Sequence, residues 1–522
     1  MSQIGRFRAL TLAAALGALS TGLARAQSAL DDSGDLPIRG TNAGMAENAT
    51  LNASDTTNPL NLVQGSGAAT DNPINYGRPK PRKKWLQRAY EIPPPHALPA
   101  LVPYATAPGT NNRDPYAPTL QATPTTASIP GIRKKKRPQV DPHPFDPTGL
   151  RLRSFILTPY VESDLGYESN PLQIAKPGHG SWLLRETAGA KLQSDWSRHE
   201  LDATLSGGYS DYMQTRAASA PDGSLVVNGR ADATRDLSFD AQGRFVVGSQ
   251  LTSTPGLLTG VNLSSRPLTY QTGGTLGATQ KLGRITLALH GTLDRYTYQN
   301  ASAANGSLIA LSGQNYNDMG LRGRASYEIT PGISPYIEVG GDSLRLDQPL
   351  DASGVNRNSS GTLARIGSTF ELSRLLTGDV AVGVAHRNFT DPRISGSSSP
   401  TLDASLIWAA SPLTAVTFKA ASSVASTSVI GASTAQQQTA SLQVDHQLMP
   451  NLLISGVGTW QNTNYRGANL VTNLYSAGVK ADYNLTRSVV VRGSFTHQRL
   501  QSTAAGTNYT DNIMLLGLRL QR

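Results

Sequence analysis

Residues 151–522 consist of short stretches in which apolar and polar residues alternate, and the connections between them are alternately short and long. A two-residue period is expected of a strand with one apolar and one polar face. It is clearest in 201–209, 285–293 and 514–520. Antiparallel strands with short turns at one end and long loops at the other are typical of barrels that cross an outer membrane. The pattern therefore predicts an all-β fold, a transmembrane antiparallel β-barrel over residues 151–522.

The connections also predict the number of strands. Eight short ones are expected near 197–198, 242–243, 282–283, 330–332, 377–378, 411–412, 449–451 and 486–487, and nine longer polar ones near 170–181, 213–229, 249–267, 299–314, 348–358, 390–400, 424–436, 466–471 and 501–508. They join about 18 strands, with 16 as the fallback, and such a barrel is wide enough to hold water. A soluble β-sandwich array or solenoid would also have strands with alternating apolar and polar residues, but it does not explain why short and long connections alternate.

The N-terminus has the features of a secretory signal peptide. Arg6 and Arg8 precede an apolar run over 9–19, and Ala24-Arg25-Ala26 forms an A-x-A site, which predicts cleavage between Ala26 and Gln27. A short buried helix is the alternative. No later apolar run approaches the roughly 18 residues of a membrane-spanning helix.

Residues 27–150 are predicted to be a disordered, Pro-rich, basic extension in the periplasm. Of the 32 prolines, 17 lie between Pro73 and Pro147, and the apolar residues follow no period. Basic runs at 78–84 and 133–137 give 78–150 a net charge of +8. The contacts expected of such runs outside the cytoplasm are anionic cell-wall polymer, which means peptidoglycan or polysaccharide, or a membrane surface. Nucleic acid is not an expected partner, and a solvated linker is the alternative.

Motifs that carry chemistry are not recognisable in this chain. It contains no cysteine, its eight histidines are scattered, and it lacks H-E-x-x-H, G-x-S-x-G and P-loop patterns. Ser494 and His497 are three residues apart on one predicted strand, so their side chains should take opposite faces. The sequence predicts no catalytic residue, no cofactor and no metal site, and the protein is not expected to be an enzyme.

The polar phase of the strands predicts which charged residues face the lumen. They are Lys191, Asp202, Asp294, Arg322, Arg324, Glu338, Asp403, Lys419, Asp445, Lys480, Asp482, Arg492 and Arg519. Lumen charge tunes the selectivity of such pores. The net charge of +4 over 151–522 suggests a mild anion preference. Alternatively, these charges only brace the wall through cross-strand pairs.

Aromatic residues near the predicted strand ends suggest girdles at the two membrane interfaces. They are Tyr209, Tyr212, Tyr296, Tyr298, Trp460 and Tyr465 toward the long loops and Trp408 near a short turn.

Several turn phrases identify a family resemblance. They are S-D-W-S-R-H-E-L (194–201), L-S-R-L-L-T-G-D-V-A-V-G-V (372–384), W-A-A-S-P-L-T-A-V-T (408–417), V-D-H-Q-L-M-P-N-L-L-I-S (444–455) and L-L-G-L-R-L-Q (515–521). Over residues 151–522 the chain resembles the outer-membrane β-barrel porin family of proteobacteria known as β-barrel porin 2. The resemblance implies an outer-membrane protein without catalytic residues, and some relatives are associated with exopolysaccharide gene clusters. Relatives typically end in an aromatic residue, which the barrel-insertion machinery recognises, where this chain has Arg522.

Three functions follow as expectations. The first is a porin-like channel for passive passage of hydrophilic solutes, the second a conduit or accessory for exopolysaccharide export, and the third a structural barrel that tethers the cell wall. The expected partners are outer-membrane lipids and the barrel-assembly machinery. If the long loops face outside, the N-terminal extension and the C-terminus lie in the periplasm.

Overall fold

The structure is a computed structural model that describes residues 145–522 except 176–178, 251–260, 352–353, 374, 428 and 430. The predictions for the signal peptide and for 27–144 lie outside the described residues. Within the described part, nothing helical has the length and hydropathy of a membrane span.

Eighteen long strands make up the described chain. They are β1 Phe155–Glu168, β2 Ser181–Ser194, β3 Glu200–Tyr212, β4 Ala220–Asp232, β5 Leu237–Ser249, β6 Leu268–Leu282, β7 Ile285–Tyr298, β8 Tyr316–Tyr327, β9 Ile333–Leu346, β10 Ser359–Ser373, β11 Leu376–Phe389, β12 Ser397–Ser411, β13 Thr414–Ser426, β14 Thr434–Met449, β15 Leu452–Arg466, β16 Leu470–Asn484, β17 Val489–Ser502 and β18 Tyr509–Gln521. Three shorter strands, Leu150–Leu152, Ala301–Ser302 and Leu308–Ile309, form small hairpin pairings outside this series.

The eighteen strands form a closed antiparallel barrel. Each strand pairs with its two neighbours in the chain, and β18 pairs with β1 in a register that runs from Tyr160 opposite Gln521 to Glu168 opposite Ile513. Closure leaves no edge strand with unpaired backbone groups, as a bilayer requires. The prediction of an 18-stranded barrel is confirmed.

Short and long connections alternate along the chain, as predicted. At one end of the barrel eight turns have two to five residues, and at the other end nine connections have six to 18 residues, apart from 467–469 with three. One hairpin was predicted in the wrong place, because Gln242 and Gly243 lie inside β5 and the turn is at 233–236. Pro221, Gly223 and Gly229 make β4 resemble a loop, although its backbone pairs with both neighbours. The strand count was unaffected, since the hairpin only moved along the chain.

One face of the wall is apolar and exposed. In β18, Leu516 and Leu520 are 64% and 53% exposed. Such exposure of large side chains is expected where lipid, rather than water, is the solvent. Exposed aromatic residues lie at both ends of this face, with Tyr167, Trp182 and Tyr209 toward the long loops and Tyr327, Trp408 and Tyr483 toward the short turns.

The aromatic girdle was predicted only in part. Tyr212, Tyr296, Tyr298 and Tyr465 are buried on the other face, where they pack with loop residues near the long-loop end. Tyr296 stacks on Tyr316 with ring centroids 4.5 Å apart. The sequence places an aromatic residue near a strand end, but one residue of phase decides whether its ring meets lipid or the interior.

Candidate functional site: the polar face of the barrel wall

The polar face is the side of the wall opposite the exposed apolar residues, and it is continuous around the barrel. Glu162 on β1 is opposite Thr187 on β2 and Arg519 on β18, and the register pairs can be followed strand by strand through all eighteen strands back to the same face. Several of its ion pairs join strands that are two or three apart. Side chains converge in this way on the concave side of a closed wall, whereas they diverge on the convex side.

All thirteen charged residues predicted from the polar phase stand on the polar face. The structure brings seven of them into two groups of charges, and it pairs Asp294 with Arg244. It leaves Lys191, Asp202, Lys419 and Asp445 in the half of their strands next to the short turns. Asp445 there accepts hydrogen bonds from the Gln443 side chain at 2.9 and 3.0 Å.

The first group spans β8 to β12 and centres on Glu338. Its buried carboxylate pairs with Arg324, at 2.9 Å, and with Arg365. Arg324 also reaches Asp379, three strands away, at 3.3 Å, and Arg365 pairs with Asp403.

Tyr336 holds this group in place. The Arg324 guanidinium lies 3.7 Å from the centre of the Tyr336 ring, and the Tyr336 hydroxyl donates to Asp379 at 2.6 Å. The two arginines are thus fixed from several sides, as charge-assisted and cation–π contacts favour.

The second group lies where the barrel closes. Arg492 on β17 pairs with Asp482 on β16 and reaches over β18 to Glu162 on β1, both at 2.7 Å. Lys480 pairs with Asp482 at 2.9 Å. Arg519 lies 4.0 Å from Glu162, with its guanidinium 3.8 Å from the centre of the Tyr160 ring. These contacts tie the first strand to the last three.

In three of the pairs that skip a strand, a glycine lies between the two partners. Gly273 on β6 is opposite Arg244 on one side and Asp294 on the other, and these two side chains form an ion pair above it. A Cβ at this glycine would overlap Asp294 Oδ1. Only a residue without a side chain leaves room for such a bridge.

The same arrangement recurs at two other glycines. Gly277 lies between Asp240 and His290, which are 3.0 Å apart. Gly361 lies in the same way between Asp342 and Arg387, which are 2.5 Å apart.

Sequence reasoning missed half of these partners. The residues that were not singled out as lumen-facing, although each has the polar strand phase, are Glu162, Asp240, Arg244, His290, Asp342, Arg365, Asp379 and Arg387. An ionisable residue on each of two strands, aligned with a glycine on the strand between them, is a signal that could have found Arg244, Asp342 and Arg387 once the register was known.

The polar face carries more acids than bases. Its thirteen basic residues are Arg185, Lys191, Arg230, Arg244, Lys281, Arg322, Arg324, Arg365, Arg387, Lys419, Lys480, Arg492 and Arg519. Its eighteen acidic residues are Glu162, Asp164, Glu168, Glu200, Asp202, Asp222, Asp232, Asp240, Asp294, Asp318, Glu338, Asp342, Glu371, Asp379, Asp403, Asp445, Asp482 and Asp511. With His290 neutral, the formal charge of this face is −5.

Connections at the long-loop end fold over the mouth of the barrel. Arg266, in the β5–β6 connection, donates to the carbonyl of Pro171 in the β1–β2 connection. Arg357, before β10, donates at 2.9 Å to the carbonyls of Thr427 and Ala432 before β14. Each contact bridges several strands, so these loops narrow the mouth from two sides.

A further ion pair braces the β11–β12 connection. Arg393 donates to Asp391 at 2.6 Å, and this hydrogen bond, with those from the backbone N–H groups of Asn356 and Arg393, holds the pKa of the Asp391 carboxyl below its ordinary value. The lowered pKa favours the charged form of Asp391, so its ion pair with Arg393 persists to a lower pH than an ordinary aspartate would allow.

The described residues contain no cluster of three or more potential metal ligands. Ser494 stands on the polar face, while His497 is exposed on the apolar face and lies 2.8 Å from the Asn512 side chain.

A closed barrel with an apolar outer band, aromatic residues at both ends and a continuous charged inner face defines a porin-like outer-membrane β-barrel. Residues 143–522 match the family model described as "Putative beta-barrel porin 2", and the chain belongs to that family. Porins are channels. By sequence the chain matches none of the curated proteins.

Solved structures with similarity to the chain include other outer-membrane proteins. Pseudomonas aeruginosa OccK2 (OpdF) is 10% identical over 71% of this chain and 98% of its own, with a TM-score of 0.37. Acinetobacter baumannii OccAB3 is 10% identical over 71% of this chain and 100% of its own, with a TM-score of 0.37. The Acinetobacter baumannii siderophore receptor PirA is 9% identical over 70% of this chain and 80% of its own, with a TM-score of 0.34.

Proposed function

We propose that the protein is a passive channel for hydrophilic solutes and that its polar face lines a water-filled lumen. The observation that carries this proposal is the continuity of the polar face around all eighteen strands. A barrel of this strand number leaves an interior wider than its side chains can fill, so charged side chains remain hydrated on the inner wall. The thirteen charged residues predicted to face the lumen are part of this lining.

Conductance of the purified full chain in a planar bilayer tests the proposal. We expect ohmic current steps that persist at low voltage, and proteoliposomes that swell in isotonic neutral sugar. A protein that is folded, as judged by heat-modifiable migration on a gel, but passes neither current nor sugar would contradict it.

The two other roles, a structural barrel and a conduit for exopolysaccharide, predict different results. A structural barrel that tethers the cell wall predicts no current, whereas a conduit for exopolysaccharide predicts loss of the polymer in a deletion strain. Retention of the polymer together with measurable conductance supports the solute channel.

For orientation, we propose that the long connections face outside and that the N-terminal extension and the C-terminus face the periplasm. Within the strands, the charged residues of the apolar face all lie toward the long loops: Glu186, Asp211, Arg295, Arg345, Arg466 and Arg499. Four of these six are arginines, which suits the anionic headgroups of the outer leaflet.

Single-cysteine reporters can test this orientation, because the chain has no cysteine of its own. Ala304→Cys, in the exposed β7–β8 connection, should react with a membrane-impermeant maleimide on intact cells. Arg235→Cys, in an exposed short turn, should react only after the outer membrane is opened. The reverse pattern of labelling would overturn the proposed orientation.

A further inference from the structure

The charge of the barrel divides unequally between its faces. Residues 151–522 carry a net charge of +4, which suggests an anion-selective pore. The polar face by itself has eighteen acids and thirteen bases, a charge of −5, so the surplus of bases lies in the connections and on the apolar face. A permeating solute meets the charge of the polar face, not the charge of the whole chain.

In four pairs of the polar face the carboxylate is the more exposed partner, which adds to the negative charge that a solute meets there. The Arg365 side chain is 7% exposed and its partner Asp403 26%, and the corresponding values are 4% for Arg387 and 30% for Asp342. In these two pairs the carboxylate is therefore more accessible from the interior than the arginine is.

Other pairs show the opposite order, with the base more exposed than the acid. Arg492 is 15% exposed against 7% for Glu162, and Arg244 is 9% exposed against 5% for Asp294. The more exposed carboxylates are therefore confined to Asp342, Asp379 and Asp403 in the wall from β8 to β12 and to Asp240. Asp240 is 30% exposed above a buried His290.

The sharing of arginines between carboxylates also leaves negative charge on the polar face. Arg324 pairs with both Glu338 and Asp379, and Arg365 with both Glu338 and Asp403. Three carboxylates thus occupy two guanidinium groups whose donors are already engaged. An anion would have to compete with fixed carboxylates for these donors, whereas a cation finds carboxylate charge that the wall does not neutralise.

We propose that the lumen selects for cations, so that the solutes it passes best are cationic or neutral hydrophilic molecules and small anions are disfavoured. This inference deepens the proposed channel function and rests on it. It reverses the mild anion preference that the net charge of the chain suggested.

The test is the reversal potential of the purified full chain in a planar bilayer under a KCl gradient. We expect a permeability ratio of K⁺ to Cl⁻ above one and on the order of several-fold, because rings of carboxylates favour cations in wide pores. Proteoliposome swelling should be faster in a lysine salt than in a glutamate salt of equal osmolarity.

Variants that replace a carboxylate by an amide show which carboxylates set the permeability ratio. Asp379→Asn/Asp403→Asn keeps the size of both side chains and should move the permeability ratio toward one. Since these residues touch arginines, Asp202→Asn/Asp445→Asn provides a second pair outside that group, with a change in the same direction. Glu186→Gln removes a carboxylate from the apolar face of the same wall and should leave the ratio unchanged.

The outcomes separate the two proposals. Clear conductance with a ratio at or below one overturns cation selectivity and leaves the channel standing. Absence of both current and sugar uptake overturns the channel and the selectivity together. Cation selectivity that neither variant pair reduces would show that the polar face of the strands does not set it, which overturns the inference as stated.

Discussion

Substitution of Gly273 by alanine should destabilise the barrel, although alanine normally suits a strand better than glycine does. A Cβ at position 273 would overlap Asp294 Oδ1 and would lie 2.9 Å from the carbonyl oxygen of Leu293. The Asp294 carboxylate cannot move away freely, because Arg244 Nε donates to it at 2.8 Å and a second guanidinium nitrogen also binds it. The substitution therefore strains a buried ion pair.

The expected size follows from two opposing contributions. Overpacking at a well-filled site costs about 1–3 kcal/mol. Replacement of glycine in a strand returns roughly 0.5–1 kcal/mol from the unfolded chain. Gly243→Ala is the matched control, because Gly243 is on the adjacent strand β5 with nothing within 4 Å of an added Cβ. Since the strand contribution cancels between the variants, Gly273→Ala should be about 1–3 kcal/mol less stable than Gly243→Ala.

Urea unfolding of the protein in phospholipid vesicles, followed by tryptophan fluorescence, measures this difference. The Asp294→Ala background adds an internal check, because it removes the two side-chain atoms that lie nearest to the new Cβ. In that background Gly273→Ala should lose most of its cost, with only the contact to the Leu293 carbonyl remaining, and the double-mutant cycle should give a coupling energy of about 1–3 kcal/mol. Equal stabilities for Gly273→Ala and Gly243→Ala, within about 0.5 kcal/mol, would refute the role assigned to the glycine.

Three further substitutions test other parts of the structure. Glu338→Gln leaves Arg324 and Arg365 without their shared buried carboxylate, so we expect its free energy of unfolding in urea to fall by about 3–5 kcal/mol. The control Asp445→Asn should lose less than about 1 kcal/mol. Similar losses for both variants would contradict the central place of Glu338. Tyr212→Phe removes the hydroxyl that donates to buried Glu168 at 2.5 Å and should cost about 1–3 kcal/mol in the same assay, whereas an unchanged midpoint would show that this hydrogen bond adds nothing. Arg522→Phe should raise the fraction of barrel inserted by the assembly machinery, because it supplies the aromatic residue that relatives typically carry there, and it leaves the backbone N–H of residue 522 donating to the Pro159 carbonyl at 3.1 Å. Equal insertion would show that the aromatic residue does not matter here.

The fold was predictable because the membrane imposes a simple pattern. Apolar residues that face lipid alternate with polar ones, and the length of each connection reports which end of the barrel it occupies. The prediction was wrong where this pattern is weak. In β4, Pro221 and Gly223 take positions where large apolar residues are expected, so the sequence there resembles a loop, and only the backbone pairing with β3 and β5 shows a strand.

The pairing of charges was not predictable from phase alone. Phase indicates that Arg324 and Glu338 share a face, but Arg324 also binds Asp379, 55 residues away in the chain. Such partners depend on the stagger between strands, and a shift of one residue would exchange the two faces. Composition has the same limit, because the positive net charge of the barrel does not reveal that the polar face is negative.

The glycines of the polar face show how these features are connected. Glycine lowers strand stability, yet Gly273, Gly277 and Gly361 each lie between two ionisable side chains in register. A residue that breaks the local preference is expected where a tertiary contact compensates for it. Here the contact spans three strands, as an arginine–aspartate ion pair at Gly273 and Gly361 and as a histidine–aspartate contact at Gly277. At Gly273 and Gly361 the arginine of the pair is only 9% and 4% exposed, so it lies against the wall. The same contacts therefore tie three strands together and fix the position of these charges on the polar face.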